Sequence, residues 1–279
     1  MVPEAIAFLL GSEKRVRVLA AFEDGSRRQA SLARDCSVGR STVHRCVEGF
    51  CDHGWLREVE DGYALTTGGR RVLSAYRAFA DTVERVCEHE TLFRCLDAAG
   101  VAVPPGVLDD ATVVMATEHD PHAAVVACAD LLRRADADRV RTAWTGVSPI
   151  TNSAGEDHLA EGRRVEMVVD RRTLVAARES YFRNYQLALA SDRVDVHVTD
   201  DPIEAGVLLA GDRAAVTGYE NGRARVCVHG SSDDLRAWAE GVYEDLHDRA
   251  DPVEVRYPAP GAVEERRATP LPDGAGRLE

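Results

Sequence analysis

This 279-residue chain holds a single lysine, Lys14, and every other fixed positive charge is an arginine. It also lacks long apolar runs: stretches such as Val125–Cys128 and Val207–Ala210 are far too short to span a bilayer, so no membrane partner is expected. The first apolar stretch, Ile6–Leu10, is brief and has no basic lead-in, which points to a cytoplasmic protein rather than a secreted one. None of the seven cysteines (36, 46, 51, 87, 95, 128 and 227) forms a Cys-x-x-Cys pair, so neither a disulfide framework nor a zinc knuckle is indicated. Cys46 and Cys51 read as buried small residues, and sequence does not reveal whether any thiol has the lowered pKa that reactivity needs. A glycine-rich phosphate loop is absent too. Net positive charge is also missing: the formal charge is −13.

That charge is unevenly spread. Up to Leu65 the chain has nine basic and ten acidic residues, whereas the remainder has 25 basic and 37 acidic ones. Few lysines and many acids resemble the composition of proteins from salt-loving archaea, whose anionic surfaces stay hydrated when salt screens charge. In such salt, counterion release adds little to phosphate contacts, and base contacts must carry more of any nucleic-acid affinity.

What is present is most informative between Gln29 and His53. Apolar residues at Leu32, Val38, Val43, Val47 and Phe50 keep one face of two short helices in a core. Cys36-Ser37-Val38-Gly39 reads as the turn between them. The remaining face of the second helix carries Arg40, Ser41, Thr42, His44 and Arg45, groups that reach base edges and phosphates from a major groove. Next come a short strand, Trp55–Val59, the turn Asp61-Gly62, and a returning strand, Tyr63–Leu65. Thr66-Thr67 offers a cap for a further helix.

Helix, turn, helix and wing in this order resemble the archaeal and bacterial winged-helix repressors, with LARDCSVGRSTVHRCVEGFCDHGWLRE as the recognisable core and roughly residues 3–75 covered. The resemblance implies an α+β winged helix over 1–68 that binds double-stranded operator DNA through Arg40, Ser41, Thr42, His44 and Arg45, with Gly62 in the wing. Upstream, Pro3–Leu10 and Ser12–Phe22 read as two short helices.

From Gly68 to Ala99 apolar residues follow helical spacing, with a break expected near His89. We read 69–103 as a linker or dimerisation helix whose apolar stripe runs through Leu73, Phe79, Val83 and Val86. Pro104-Pro105-Gly106 marks the boundary of a second domain, 104–250. There strand-like segments alternate with helix-like ones, which implies an α/β sheet. Single helices are expected over Pro121–Arg134, Leu174–Ala190 and Asp233–Ala250, and only the end of a short one at Leu159–Glu161. Residues 251–279 are rich in Pro, Gly, Arg and Glu and read as a flexible tail.

The stretch 200–253, DDPIEAGVLLAGDRAAVTGYENGRARVCVHGSSDDLRAWAEGVYEDLHDRADPV, resembles the effector domain of archaeal regulators of the FilR type and, more loosely, the sugar-sensing TrmB regulators. That implies an α/β phospholipase-D-like fold. Phospholipase D chemistry needs a histidine nucleophile, a lysine two residues on and an acid five after that. With Asp212 as the acid, Ala205 and Val207 stand where the histidine and lysine should be, and neither can do that chemistry. No catalytic residue, cofactor or metal is therefore expected. Glu118-His119-Asp120 with His122 could be argued as metal ligands, but a turn before a helix explains them equally well.

For a small-molecule effector, strand ends are the usual place in an α/β sheet, which nominates Thr117, Glu118, Trp144 and Thr145, with Arg164 for an anionic group. The sequence thus predicts a homodimeric transcriptional regulator that binds DNA and responds to a metabolite. Two alternatives stay open: an enzyme of phospholipase-D-like fold fused to a winged helix, and a winged-helix adaptor for other proteins.

Overall fold

The structure is a computed structural model that describes residues 2–253. Most of the expected tail lies outside the described residues. Its first two residues do not behave as a tail: Asp251–Pro252 form a short strand. The chain divides into two units after His89, inside the stretch read as a linker.

The first unit contains α1 (Val2–Leu10), α2 (Glu13–Ala20), α3 (Gln29–Asp35), α4 (Arg40–Asp52), β1 (Leu56–Val59), β2 (Gly62–Leu65) and α5 (Thr67–Glu88). Leu32 of α3 and Val43, Val47 and Phe50 of α4 are buried with Val18, Leu19 and Phe22, as the apolar spacing requires. Phe8 meets Phe50 edge-on at 5.6 Å between ring centroids, and Trp55 stacks on Phe50 at 6.0 Å. Ser37 turns the chain between α3 and α4 with φ 52°, a left-handed conformation, and buries Val38 behind it.

The strands β1 and β2 pair antiparallel from Leu56↔Leu65 to Val59↔Gly62. Gly62 has φ 127°, and a Cβ there would fall 2.4 Å from the carbonyl oxygen of Arg27, so only glycine fits. The close approach lets Arg27 and Tyr63 exchange both backbone hydrogen bonds, at 2.9 and 3.0 Å, which fastens the wing to the start of α3. Thr66 caps α5: its Oγ1 accepts from the Gly69 N–H at 2.9 Å and donates to the Gly54 carbonyl at 2.7 Å. Leu73 of α5 is buried in this core, so it does not belong to the free apolar stripe assigned to it. Phe79, Val83 and Val86 are exposed.

The second unit begins with α6 (Glu90–Ala98), so the long helix does break at His89. It continues with β3 (Thr112–Met115), α7 (Ala123–Arg134), β4 (Arg139–Trp144), α8 (Pro149–Ala160), β5 (Arg164–Asp170), α9 (Arg171–Ser180), α10 (Phe182–Ala190) and β6 (Val194–Thr199). Last come β7 (Ala205–Ala210), β8 (Arg213–Glu220), β9 (Arg223–Gly230), α11 (Asp233–His247) and β10 (Asp251–Pro252). The single helix expected over 174–190 is two, broken at Tyr181, whose φ of −135° is not helical.

The eight strands form one sheet in the order β10-β6-β5-β4-β7-β8-β9-β3. Strands β4, β5 and β6 are parallel; every other pair is antiparallel. The sheet is buried on both faces. Val207, Leu209, Val216 and Val228 pack with Leu235, Trp238 and Tyr243 of α11, while Leu208, Ala210, Ala215 and Cys227 pack with Leu131 and Leu132 of α7. Two-sided burial explains the near-continuous apolar run of β7, where all six residues are buried.

Candidate nucleic-acid interface and ligand cavities

Helix α4 presents Arg40, Ser41, His44 and Arg45 to solvent, with Thr42 half-buried beside them. These residues share a face because Val43, Cys46, Val47 and Phe50 occupy the opposite one. The helix begins at Arg40, so its cations lie in the first two turns, where a recognition helix meets base edges. Arg40 and Arg45 make no ion pair among the described residues, unlike Arg27, which faces Asp24 and Asp35, and Arg28, which reaches Asp61 at the wing tip at 2.9 Å. His44 Nδ1 lies 3.3 Å from Gln29 Oε1, tying its ring to α3. Gly62 acts through backbone geometry, setting the wing against Arg27 as described above.

The strand-end residues divide. Trp144 and Thr145 sit where β4 ends; two cavities meet at Trp144, and Thr145 lines the second of them. One, of about 460 Å³, runs under α8, α9 and α10 with Trp144, Met167, Val169, Tyr181, Tyr185 and Leu187 on its walls. The other, of about 550 Å³, has Trp144, Thr145, His122, Cys128, Thr217 and Tyr219. A third space, of about 390 Å³, shares Thr145 and Tyr219 and adds Asp170, Arg94 and Arg172.

Thr117 and Glu118 are not part of this junction. They follow β3, at the same end of the sheet but four strands from β4, about 19 Å at ordinary strand spacing. Thr117 Oγ1 accepts the Asp120 N–H at 3.0 Å in the turn that precedes α7, the structural role of this segment. Arg164 is also elsewhere. It opens β5, which runs parallel to β4 in register with Arg139, so it lies at the opposite end of the strands, about 17 Å from Trp144.

Sequence reasoning missed the polar hub at the junction. Asp170 closes β5 and caps α9, accepting from the Thr173 N–H at 2.7 Å, the Thr145 hydroxyl at 2.7 Å and the Ile203 N–H at 3.4 Å. Gly146 N–H donates to Thr173 Oγ1 at 2.7 Å. Burial pushes the Asp170 carboxyl up, but these donors outweigh it and hold the group below its ordinary value, ionised. An Asp before an apolar-spaced helix is a capping signal that could have found it.

A second missed cluster joins β5, β6 and α11. Glu166, His197 and His247 place one donor atom each within 4.8 Å of one another. Glu166 Oε1 accepts from the Tyr243 hydroxyl at 2.9 Å and faces His247 Nε2 at 3.4 Å, and Arg139 pairs with Oε2. Burial first of all pushes the Tyr243 phenol up to about 12, so it stays a donor. Two imidazoles and a carboxylate are a donor set that transition metals accept. Here the carboxylate is already satisfied by protein groups, and the cluster anchors α11 to the sheet.

The phospholipase-D positions hold no chemistry. Ala205 and Val207 are 4 and 2 % exposed on β7, and Asp212 lies in the turn to β8. Among the described residues no histidine is hydrogen-bonded to a serine, threonine or cysteine, and Lys14 is in the first unit.

Residues 3–88 match the family model of the HVO_A0261 N-terminal domain. Residues 121–249 match that of the middle domain of the methanogenesis regulatory protein FilR1. No curated protein matches the chain. Among solved structures, TrmBL2, described as an archaeal chromatin protein with a novel mode of DNA binding, is 12% identical with a TM-score of 0.41 over 88% of this chain and 97% of its own. The phospholipase D family member Nuc of Salmonella typhimurium is 13% identical with a TM-score of 0.41, over 52% of this chain and all of its own. None of the described helices is long and apolar enough to cross a membrane.

Proposed function

We infer that this chain, whose two units match the HVO_A0261 N-terminal domain and the FilR1 middle domain, is a sequence-specific DNA-binding transcriptional regulator whose second unit binds a ligand without catalysing. The observation that carries the reading is the face of α4: two arginines with no ion-pair partner among the described residues, flanked by hydroxyls and a histidine, on a helix fixed by its buried side. An arginine left free at the start of such a helix is available for a guanine edge or a phosphate. The overall acidity does not oppose this, since most of the excess negative charge lies beyond Leu65.

Helix α5 supplies the dimer contact in this reading. Phe79, Val83 and Val86 are 57, 44 and 44 % exposed at helical spacing. A second copy would bury them and bring two recognition helices onto half-sites about one DNA turn apart. Light scattering in high salt should give twice the chain mass, and Phe79→Ser with Val83→Ser should halve it. A wild-type protein that is monomeric at micromolar concentration would remove this part.

The effector site is the junction at Trp144 and Thr145. Its walls are apolar with a few convergent polar groups, which suits a small molecule with an apolar body and one polar end. In this reading the site binds, since Ala205 and Val207 stand where phospholipase-D chemistry would need a histidine and a lysine. The deciding experiment is a gel-shift titration against the DNA upstream of the protein's own coding sequence, with scrambled DNA as competitor. A sequence-specific shift that Arg40→Ala weakens supports the assignment; equal affinity for both DNAs would overturn it.

A further inference from the structure

We propose that Cys128 and Cys227 form a peroxide-responsive dithiol that closes reversibly to a disulfide. Cys128 comes from α7 and Cys227 from β9, 99 residues apart in sequence, yet their Sγ atoms lie 3.2 Å from each other. A disulfide needs about 2.05 Å between sulfurs, so closure asks for a movement of about 1.2 Å. Thr217 Oγ1 is 3.0 Å from Cys128 Sγ. Both cysteines are buried, but they are not equivalent. Cys128 lines the 550 Å³ cavity together with Thr217 and His122, and Cys227 is at 0 % exposure beside it.

This arrangement separates the pair from the other thiols. Burial pushes the thiols of Cys36, Cys46, Cys51 and Cys95 up, away from the reactive thiolate. Cys128 goes the other way. The hydrogen bonds it shares with Cys227, first, and with Thr217 hold it below the ordinary thiol value, against its burial. Cys227, its partner in that contact, is held well above. The roles follow from position: Cys128 attacks and Cys227 resolves.

The oxidant is hydrogen peroxide or a small organic hydroperoxide reaching Cys128 through the cavity. In the first step the Cys128 thiolate attacks one peroxide oxygen, the O–O bond breaks, and Cys128 becomes a sulfenic acid while water or an alcohol leaves with the proton of the thiol. In the second step the Cys227 sulfur attacks Cys128, the S–O bond breaks, and a second water leaves with the Cys227 proton. Two electrons pass from the two sulfurs to the peroxide, and a thiol reductant reverses the change. The product would pin α7 to β9 across the wall that the ligand cavity shares.

The test uses the full chain with Cys87→Ser, which removes the exposed cysteine and with it links between chains. Treatment with one equivalent of hydrogen peroxide, followed by non-reducing peptide mapping, should give one linked pair, Cys128–Cys227. Two of the six remaining thiols should be lost and then recovered with dithiothreitol. In Cys227→Ala on the same background, dimedone should label Cys128, and no disulfide should form. Oxidation elsewhere in the folded protein with Cys128 and Cys227 unlinked would overturn the proposal, as would inertness of both to a tenfold excess. If Cys227→Ala does not fold, the map of the unsubstituted pair decides alone.

Discussion

The two units use their sequence in opposite ways. The first gathers one core under α4, leaves Phe79, Val83 and Val86 of α5 exposed and turns the cations of α4 outward, so its chemistry is on an open helix face. The second covers both faces of an eight-stranded sheet but leaves hollows at the end of β4, so its chemistry is in concavities. A surface reader needs a rigid platform and free charges; a ligand site needs space that packing did not fill. In the proposed reading each unit answers one of these needs, and each has its own core.

The largest expected effect would separate the units. Phe50 is fully buried in the first core, and Phe50→Ala should cost about 3–5 kcal/mol, enough to unfold that unit. Hydrogen exchange should then show amides of α4 unprotected and those of β7 and β8 still protected. Loss of protection in both would mean that the chain folds as one block.

Next in size, Arg40→Ala and Arg45→Ala should each weaken operator binding by about 1–3 kcal/mol. Both side chains are exposed and make no ion pair among the described residues, so unfolding should move by no more than about 0.5 kcal/mol. Affinity equal to that of the unsubstituted protein in both variants would return the first unit to the adaptor reading.

Within the second unit, Trp144→Ala removes the ring shared by two cavities. Ligand-induced stabilisation should fall by about 1 kcal/mol, the scale of one aromatic contact, with DNA affinity of the ligand-free protein unchanged. An undiminished thermal shift would place the ligand elsewhere.

The smallest effect is acid sensitivity. Burial first of all lowers His158, His197 and His229, with Arg163, His247 and Arg213 respectively adding to it. Their unfolded-state value is about 6.5, so in acid the unfolded chain binds protons that the folded one refuses. The stabilisation is complete above about pH 6.5 and declines as pH falls below it. Urea midpoints for the second unit at pH 7.5 and 5.5 should differ in that direction, while Asp170, lowered from a carboxylate value, remains ionised at both. A midpoint that rises on acidification would contradict this assignment of the histidines.

Much of the first unit was legible because its signals are local. Thr66 capping, the turns at Ser37 and Asp61-Gly62 and the apolar face of α4 each show within a few residues, although Gly62 also meets Arg27 from a distant part of the chain. In the second unit strand positions were legible, from their apolar runs, but α8 was largely missed. Its sequence, Pro-Ile-Thr-Asn-Ser-Ala-Gly, has weak helix propensity, and the helix rests on the Ser148 cap and on packing against α7. Tyr181 broke a helix that spacing alone would continue.

By itself, then, the sequence determined the helix-turn-helix and wing, the side of α4 that faces solvent, the break at His89, and the loss of a histidine and lysine at Ala205 and Val207. Those depend on residue type and short spacing, which a chain carries in one dimension. Only the tertiary structure decided that Trp144 and Thr145 meet cavities while Thr117, Glu118 and Arg164 stand apart. It alone placed Leu73 in a core, and joined Glu166 to His197 and His247 and Cys128 to Cys227. The physical reason is strand direction and order: two residues at strand ends become neighbours or lie about 17–19 Å apart according to how the sheet is threaded, and no local preference encodes that.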